Sequence, residues 1–363
     1  QQGNNALTQL QVFVCRVSGL MTPVTYNHIN LATLVLVWAG GLRVETGAIT
    51  QGQVVALLNY MAQILVELVK LANLIINITK ALACANRVAD VMDITPGMAD
   101  RQAGGGGQRP LPAGAGLPVE FVDVALHYQG AGAESLSRLS FSVAPGETVG
   151  IIGGTGSGKT SLVNLIPRFY DCTGGQVLVG GKPVQDWPLE GLRAQVGVVP
   201  QRAQLFTGTI RENLLWGCGD ASDEELWQAL ETAQAKDFVE QKPGKLDEPV
   251  AQGGRNFSGG QRQRLTIARA LVRRPSILLL DDSASALDLA TEARLREAIK
   301  GLGYGQTVFI VSQRASSIRH ADKIVVLEDG EAVGVGTHDE LLAACEVYRE
   351  ICESQLEKGG QGA

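Results

Sequence analysis

An α/β domain preceded by two long apolar helices is the fold class that this sequence predicts, on three observations. Nearly all long uncharged runs fall before residue 84 of the 363. From residue 119 to 357, short β-type runs alternate with helical patterns, the order expected of a mostly parallel sheet covered by helices. One of those runs feeds a glycine-rich turn of the kind that wraps phosphate. Four segments follow: an all-α part over 1–94, a linker over 95–118, the α/β domain over 119–357 and a tail over 358–363.

The first helix is predicted from Val17 to Leu42, 26 residues without Asp, Glu, Lys or Arg. At about 1.5 Å per residue this length crosses roughly 30 Å of hydrocarbon. Pro23, Asn27, His28 and Asn30 are unusual on a lipid-facing surface, so part of this helix is expected to face other helices or a cavity. A polar turn over 43–52 leads to a second charge-free run, Thr46 to Val66, interrupted by Glu67 and Lys70 and resumed from Leu71 to Thr79. Glu67 and Lys70 share a helical face, which predicts a pair or an aqueous cavity beside them. Lys80 and Arg87 beyond the helix place its C-terminal end in the cytoplasm. The sequence opens on Gln1, without an initiator Met or a signal-peptide pattern, and is expected to continue a longer N-terminal membrane portion.

Residues 95–118 are rich in Gly and Pro and lack apolar periodicity, as a linker does. The net charge of −6 argues against a nucleic-acid groove, which needs a basic stripe. Six scattered cysteines form no CxxC pair, so neither a zinc site nor a disulfide framework is indicated.

In the α/β part, strands are predicted at Val119–Leu126, Val149–Ile152, Val196–Val199, Ile277–Leu280, Val308–Val311 and Ile324–Leu327. The second runs into Gly153, Gly154, Thr155, Gly156, Ser157, Gly158, Lys159 and Thr160, followed by a helical pattern from Ser161. This is the G-x-x-x-x-G-K-[ST] phosphate loop: backbone N–H groups curl round phosphate oxygens, Lys159 reaches the β- and γ-phosphates, and the Thr160 hydroxyl meets Mg²⁺. A nucleoside triphosphate and Mg²⁺ are therefore the expected ligands. Ile277 to Asp282 is an apolar strand ending in two carboxylates, the Walker B pattern, with Asp281 on the metal and position 282 beside the attacking water.

Phe257, Ser258, Gly259, Gly260 and Gln261, opening a helix just before that strand, resemble the signature motif of ABC ATPases. The resemblance covers essentially all of 119–357 and implies a P-loop NTPase with antiparallel β and helical subdomains. It further implies that the signature serves the nucleotide of a partner domain, so that two ATPs are sandwiched across a dimer. Tyr128 resembles the aromatic that stacks on adenine. Gln201 resembles the Q-loop residue that touches Mg²⁺ or water. Ser285, Ala286, Leu287 and Asp288 resemble the D-loop that crosses between domains. The front portion resembles the last two of six helices in exporters with fused membrane and ATPase domains.

Two positions depart from the family pattern. Asp282 stands where hydrolytic sites carry Glu, and Gln313 where they carry a switch His. Shortening Glu by one methylene withdraws the base by roughly 1 Å, a displacement that can cost about 10²-fold in rate. Gln can donate a hydrogen bond to the γ-phosphate but cannot become cationic. With the signature intact, the resemblance implies the degenerate-site half of a heterodimeric bacterial exporter. Its ATPase domain would lie in the cytoplasm, its helices would be multi-pass in the plasma membrane, and its partner would be a second half-transporter driving an amphiphilic solute outward. The competing readings are a homodimer, a regulatory subunit without transport of its own, and a soluble ATPase of the same family acting on DNA or ribosomes.

Overall fold

The structure, a computed structural model, describes residues 2–94, 98, 115–283 and 285–360. Most of the linker expected over 95–118, and residues 361–363 of the expected tail, lie outside the described residues; 115–118 carry no regular structure. The chain divides into two compact units, Gln1–Pro96 and Gly97–Ala363.

The first unit is a pair of helices, α1 (Gln2–Glu45) and α2 (Gln51–Met92), both longer than the uncharged runs that seed them. Gly47, with φ of 72°, reverses the chain between them in a conformation that costs a residue with a Cβ. Thr50 then caps α2: its hydroxyl oxygen accepts the Gln53 N–H at 3.4 Å while Gln53 Oε1 accepts the Thr50 N–H at 2.8 Å. A Cβ on Gly40 would stand 2.9 Å from Val54 Cγ1, so this glycine lets the two helices approach. Large apolar side chains such as Trp38, Leu34, Ile64 and Leu82 are exposed, a surface that water disfavours. Among the described residues α2 alone is long and apolar enough to cross a membrane; Asn27, His28 and Asn30 dilute α1, so one of the two expected spans meets the criterion. Lys70 and Glu67 are paired at 2.7 Å.

The second unit is built on a six-stranded sheet in the order β12-β11-β3-β10-β9-β6 and a four-stranded sheet in the order β2-β1-β4-β5. In chain order the strands are β1 (Val119–Leu126), β2 (Leu136–Val143), β3 (Thr148–Gly153), β4 (Gly174–Val179), β5 (Lys182–Pro183) and β6 (Val196–Val199). They continue with β7 (Gly208–Thr209), β8 (Pro249–Val250), β9 (Ile277–Asp281), β10 (Thr307–Val311), β11 (Lys323–Glu328) and β12 (Glu331–Gly336). Within the large sheet, β11, β3, β10, β9 and β6 run parallel and β12 closes one edge antiparallel. The central strands are buried on both faces, which explains their unbroken apolar sequences. The smaller sheet is antiparallel, with Phe121 and Phe141 paired across β1 and β2 at a ring separation of 4.6 Å.

Helices α3 (Lys159–Asn164) and α4 (Leu189–Gln195) flank the sheet region, and α5 (Ile210–Leu215), α6 (Asp223–Thr232) and α7 (Lys236–Glu240) form a helical insertion. The insertion packs on α8 (Gly259–Val272) through Leu214, Leu226, Leu230, Val239, Leu265 and Ala268 in one apolar cluster. The chain closes with α9 (Leu289–Lys300), α10 (Ala315–Ile318), α11 (His338–Ala344) and α12 (Glu346–Gly360).

Candidate nucleotide site

Three adjacent parallel strands aim their C-terminal ends at one cleft. β3 delivers the glycine-rich loop, β9 delivers Asp281 and Asp282, and β10 delivers Ser312 and Gln313. Loops beyond the carboxyl ends of parallel strands are where an open α/β sheet gathers ligand-binding groups. The cleft has a volume of about 270 Å³ and is lined by residues that include Lys159, Thr160, Gln201, Asp281, Asp282 and Gln313.

The loop geometry depends on glycine at two points. Gly156 and Gly158 have φ of 86° and 93°, and a Cβ on Gly158 would stand 2.7 Å from the Ser135 carbonyl oxygen. Lys159 folds back into the loop, its Nζ donating to the Gly153 carbonyl oxygen at 2.9 Å and to Ser157 Oγ at 3.3 Å. Burial lowers the Lys159 pKa, an effect that Asp282 and Asp281 oppose by favouring the cation. A buried ammonium aimed at loop carbonyls is ready to exchange them for phosphate oxygens.

Opposite it, the Thr160 hydroxyl donates to both carboxylate oxygens of Asp281, at 3.1 and 3.0 Å. Burial raises the Asp281 pKa; the Thr160 hydrogen bond opposes the rise, Asp282 adds to it and Lys159 opposes it. A hydroxyl converging with a buried carboxylate is the oxygen donor set that suits a hard cation, so Thr160 and Asp281 fit Mg²⁺. Asp282 follows at φ of 45°, a left-handed conformation that Asp tolerates better than most residues, and its N–H bonds the Val311 carbonyl at 2.9 Å. Gln201 Nε2 donates to Asp282 Oδ2 at 3.1 Å.

Tyr128 stands beside the loop: its hydroxyl donates to Ser161 Oγ at 2.9 Å, and Tyr170 packs edge-on against its ring at 5.0 Å. Ser135 and Ser312 also line the cleft. Sequence reasoning missed them, as it missed Tyr170, because no local pattern marks a residue that reaches a site only through tertiary packing.

Phe257 to Gln261 are not among the residues lining this cleft. Ser258 caps α8, its Oγ accepting the Gln261 N–H at 3.2 Å and Gln261 Oε1 accepting the Ser258 N–H at 3.0 Å. Phe257 is buried against Phe238, with the Lys242 ammonium over its ring at 5.2 Å. Ser258 and Gly259 are left exposed at the helix N-terminus. The D-loop residues pack beside them: a Cβ on Gly260 would lie 3.1 Å from the Ala286 carbonyl oxygen, and Leu287 is buried. Ser285 Oγ donates to the Asp282 carbonyl at 2.8 Å, and Asp288 caps α9 by accepting the Thr291 N–H at 2.8 Å. The residues of one chain thus fall into two groups, a cleft of its own and an exposed helix start with no part in that cleft.

Comparison with known proteins places these features. Residues 136–285 match the ABC transporter family model. The chain is 42% identical to an uncharacterized ABC transporter ATP-binding protein, YfiB, of Bacillus subtilis, over 99% of this chain and 61% of that protein. It is 33% identical to a multidrug resistance ABC transporter ATP-binding and permease protein of Lactococcus lactis, over 98% of this chain and 59% of the relative. Against an ATP-dependent lipid A-core flippase of Xanthomonas campestris the figures are 39%, 87% and 53%. The chain therefore spans about 60% or less of the length of these relatives. A solved structure of a bacterial Atm1-family ABC exporter with ATP bound superposes with a TM-score of 0.70 at 32% identity, covering 85% of this chain and 53% of that one. The phosphate loop, the Walker B strand and the start of the signature helix all fall within residues 136–285, the stretch that matches the ABC transporter family model.

Proposed function

We propose that this chain is part of an exporter subunit that couples ATP binding and hydrolysis across a dimer to outward movement of an amphiphilic solute through a bacterial plasma membrane. The separation of the signature residues from the chain's own cleft carries this reading: Ser258 and Gly259 are free to meet a nucleotide held by another chain. The apolar surface of α1 and α2 and the multidrug and lipid-flippase relatives support a membrane setting, with the ATPase domain in the cytoplasm.

In the cleft, the loop N–H groups and Lys159 hold the phosphates, Thr160 and Asp281 hold Mg²⁺ with Gln201 close by, and Tyr128 stacks on adenine. Mg²⁺ when bound offsets negative charge on the phosphate oxygens. Asp282 accepts a proton from water, but its carboxylate is a methylene shorter than the Glu of hydrolytic sites. Gln313 contacts the γ-phosphate as a neutral donor. This chain's site therefore turns over slowly and the partner, a different half-transporter with Glu and His at these positions, performs most hydrolysis. Closure of the two ATPase domains switches the membrane helices from inward- to outward-facing.

The test starts with Lys159→Ala. Removing this cation should weaken binding of a fluorescent ATP analogue by about tenfold or more. An unchanged titration would refute the assignment of the phosphate loop.

A further inference from the structure

The loop carrying Gln313 lies between β10 and α10, and its main chain is gripped by a side chain 42 positions further on. The Gln355 amide donates from Nε2 to the Gln313 carbonyl oxygen at 2.8 Å and accepts at Oε1 from the Ala315 N–H at 2.9 Å. One planar group thereby fixes the peptides on both sides of Arg314, which is extended at φ −103°, ψ 121°. A primary amide supplies a donor and an acceptor side by side, the combination this grip needs.

Gln355 is itself held by a rigid base. α12 is anchored through Tyr348, which is fully buried and whose hydroxyl meets His338 Nδ1 at 2.8 Å. Ala315 and Ile318 share an apolar cluster with Tyr348 and with Ile152 of β3, the strand that feeds the phosphate loop. On its other side the Gln313 loop is tied to β3 by the Ser312 N–H, which bonds the Ile151 carbonyl at 3.0 Å. The loop is therefore suspended between β3 and α12, with the Gln313 side chain among the residues lining the cleft of Lys159 and Thr160.

We infer that Gln355 is a positioning residue for Gln313: through it the C-terminal helix sets how well Gln313 reaches the outermost phosphate, and so the preference of this site for ATP over ADP. The inference rests on reading Gln313 as the residue that meets the γ-phosphate. If Gln355 served only to pin the end of α12, its loss would lower thermal stability without changing nucleotide preference.

The experiment measures ATP and ADP affinities of the full chain by fluorescent-analogue competition. Gln355→Met keeps the length of the side chain and removes both hydrogen bonds; Gln355→Glu keeps the acceptor for Ala315 but turns a carboxylate oxygen towards the Gln313 carbonyl. Each should lower the ATP-to-ADP affinity ratio by about fivefold, the scale of one ordinary net hydrogen bond, with ADP affinity unchanged. In a Gln313→Ala background the same changes should have no further effect, since there is no side chain left to position. An unchanged ratio in either folded variant overturns the inference, and so does an effect that persists without the Gln313 side chain. If Gln313→Ala alone leaves the ratio unaltered, the underlying assignment of Gln313 fails, an outcome distinct from failure of the Gln355 grip.

Discussion

At the scale of single residues the cleft trades stability for chemistry. Burial and the neighbouring Asp282 both raise the Asp281 pKa, so the ionised carboxylate is disfavoured in the folded state. That cost is present at neutral pH and disappears as pH falls through the raised pKa. Asp281→Asn should therefore raise the melting temperature of the nucleotide-free protein by about 2–4 °C, for a change on the order of 1 kcal/mol in a domain of this size. With the partner's catalytic Glu disabled, it should also cut the Mg²⁺-dependent turnover left at this chain's own site by about 10²-fold, because the proposed hard-cation ligand is lost. Calorimetry and phosphate release on the same preparation check both signs. A second prediction concerns the two departures from the hydrolytic pattern. With the partner's catalytic Glu disabled, Asp282→Glu with Gln313→His should raise turnover at this chain's loop by about tenfold. The gain stays partial because position 282 sits at φ of 45°, where Glu is less at ease than Asp.

At the scale of elements, α8 and the D-loop segment behave as one piece. Ser258→Ala removes the cap of α8 and should cost about 1 kcal/mol of stability. Gly260→Leu drives a side chain into the Ala286 carbonyl. In the assembled pair both should abolish most hydrolysis while this chain's loop still binds ATP, measured by nucleotide retention beside phosphate release. The elements differ in how far the sequence announces them. β3, β6, β9, β10 and β11 were legible because strands buried on both faces are written as unbroken apolar runs. β2 was not: its sequence alternates Leu and Phe with Ser and Arg, and only pairing with β1 settles it. The two-residue strands β5, β7 and β8 carry no periodicity and exist through their partners alone. The site divides the same way. Residues 153–160, 257–261 and 281–282 are contiguous and dictate local geometry, whereas Ser135, Tyr170 and Gln355 come to it from distant segments. Uncharged length overstated the apolarity of α1, though not its extent, since Asn27, His28 and Asn30 bear no charge yet are polar.

For the whole molecule, the proposed asymmetry makes unequal demands on the two chains of a pair. Replacing the partner's Glu should stop most hydrolysis, by about 10²-fold, whereas Asp282→Asn should change the total by less than about twofold. Equal losses, measured at saturating ATP, would make the sites equivalent and favour a homodimer. The length of α2 bears on how such a molecule moves. Its 42 residues form a rod of about 63 Å, roughly twice the 30 Å hydrocarbon core, so in the proposed membrane setting about half of it stands clear of the lipid tails. A tilt of only about 10° around the midpoint of such a rod carries each end through about 5 Å in opposite directions. In the proposed exporter, a bundle containing α2 would thus act as a lever with its fulcrum near the membrane surface, a few ångströms of travel on the aqueous arm being returned, reversed, on the lipid arm.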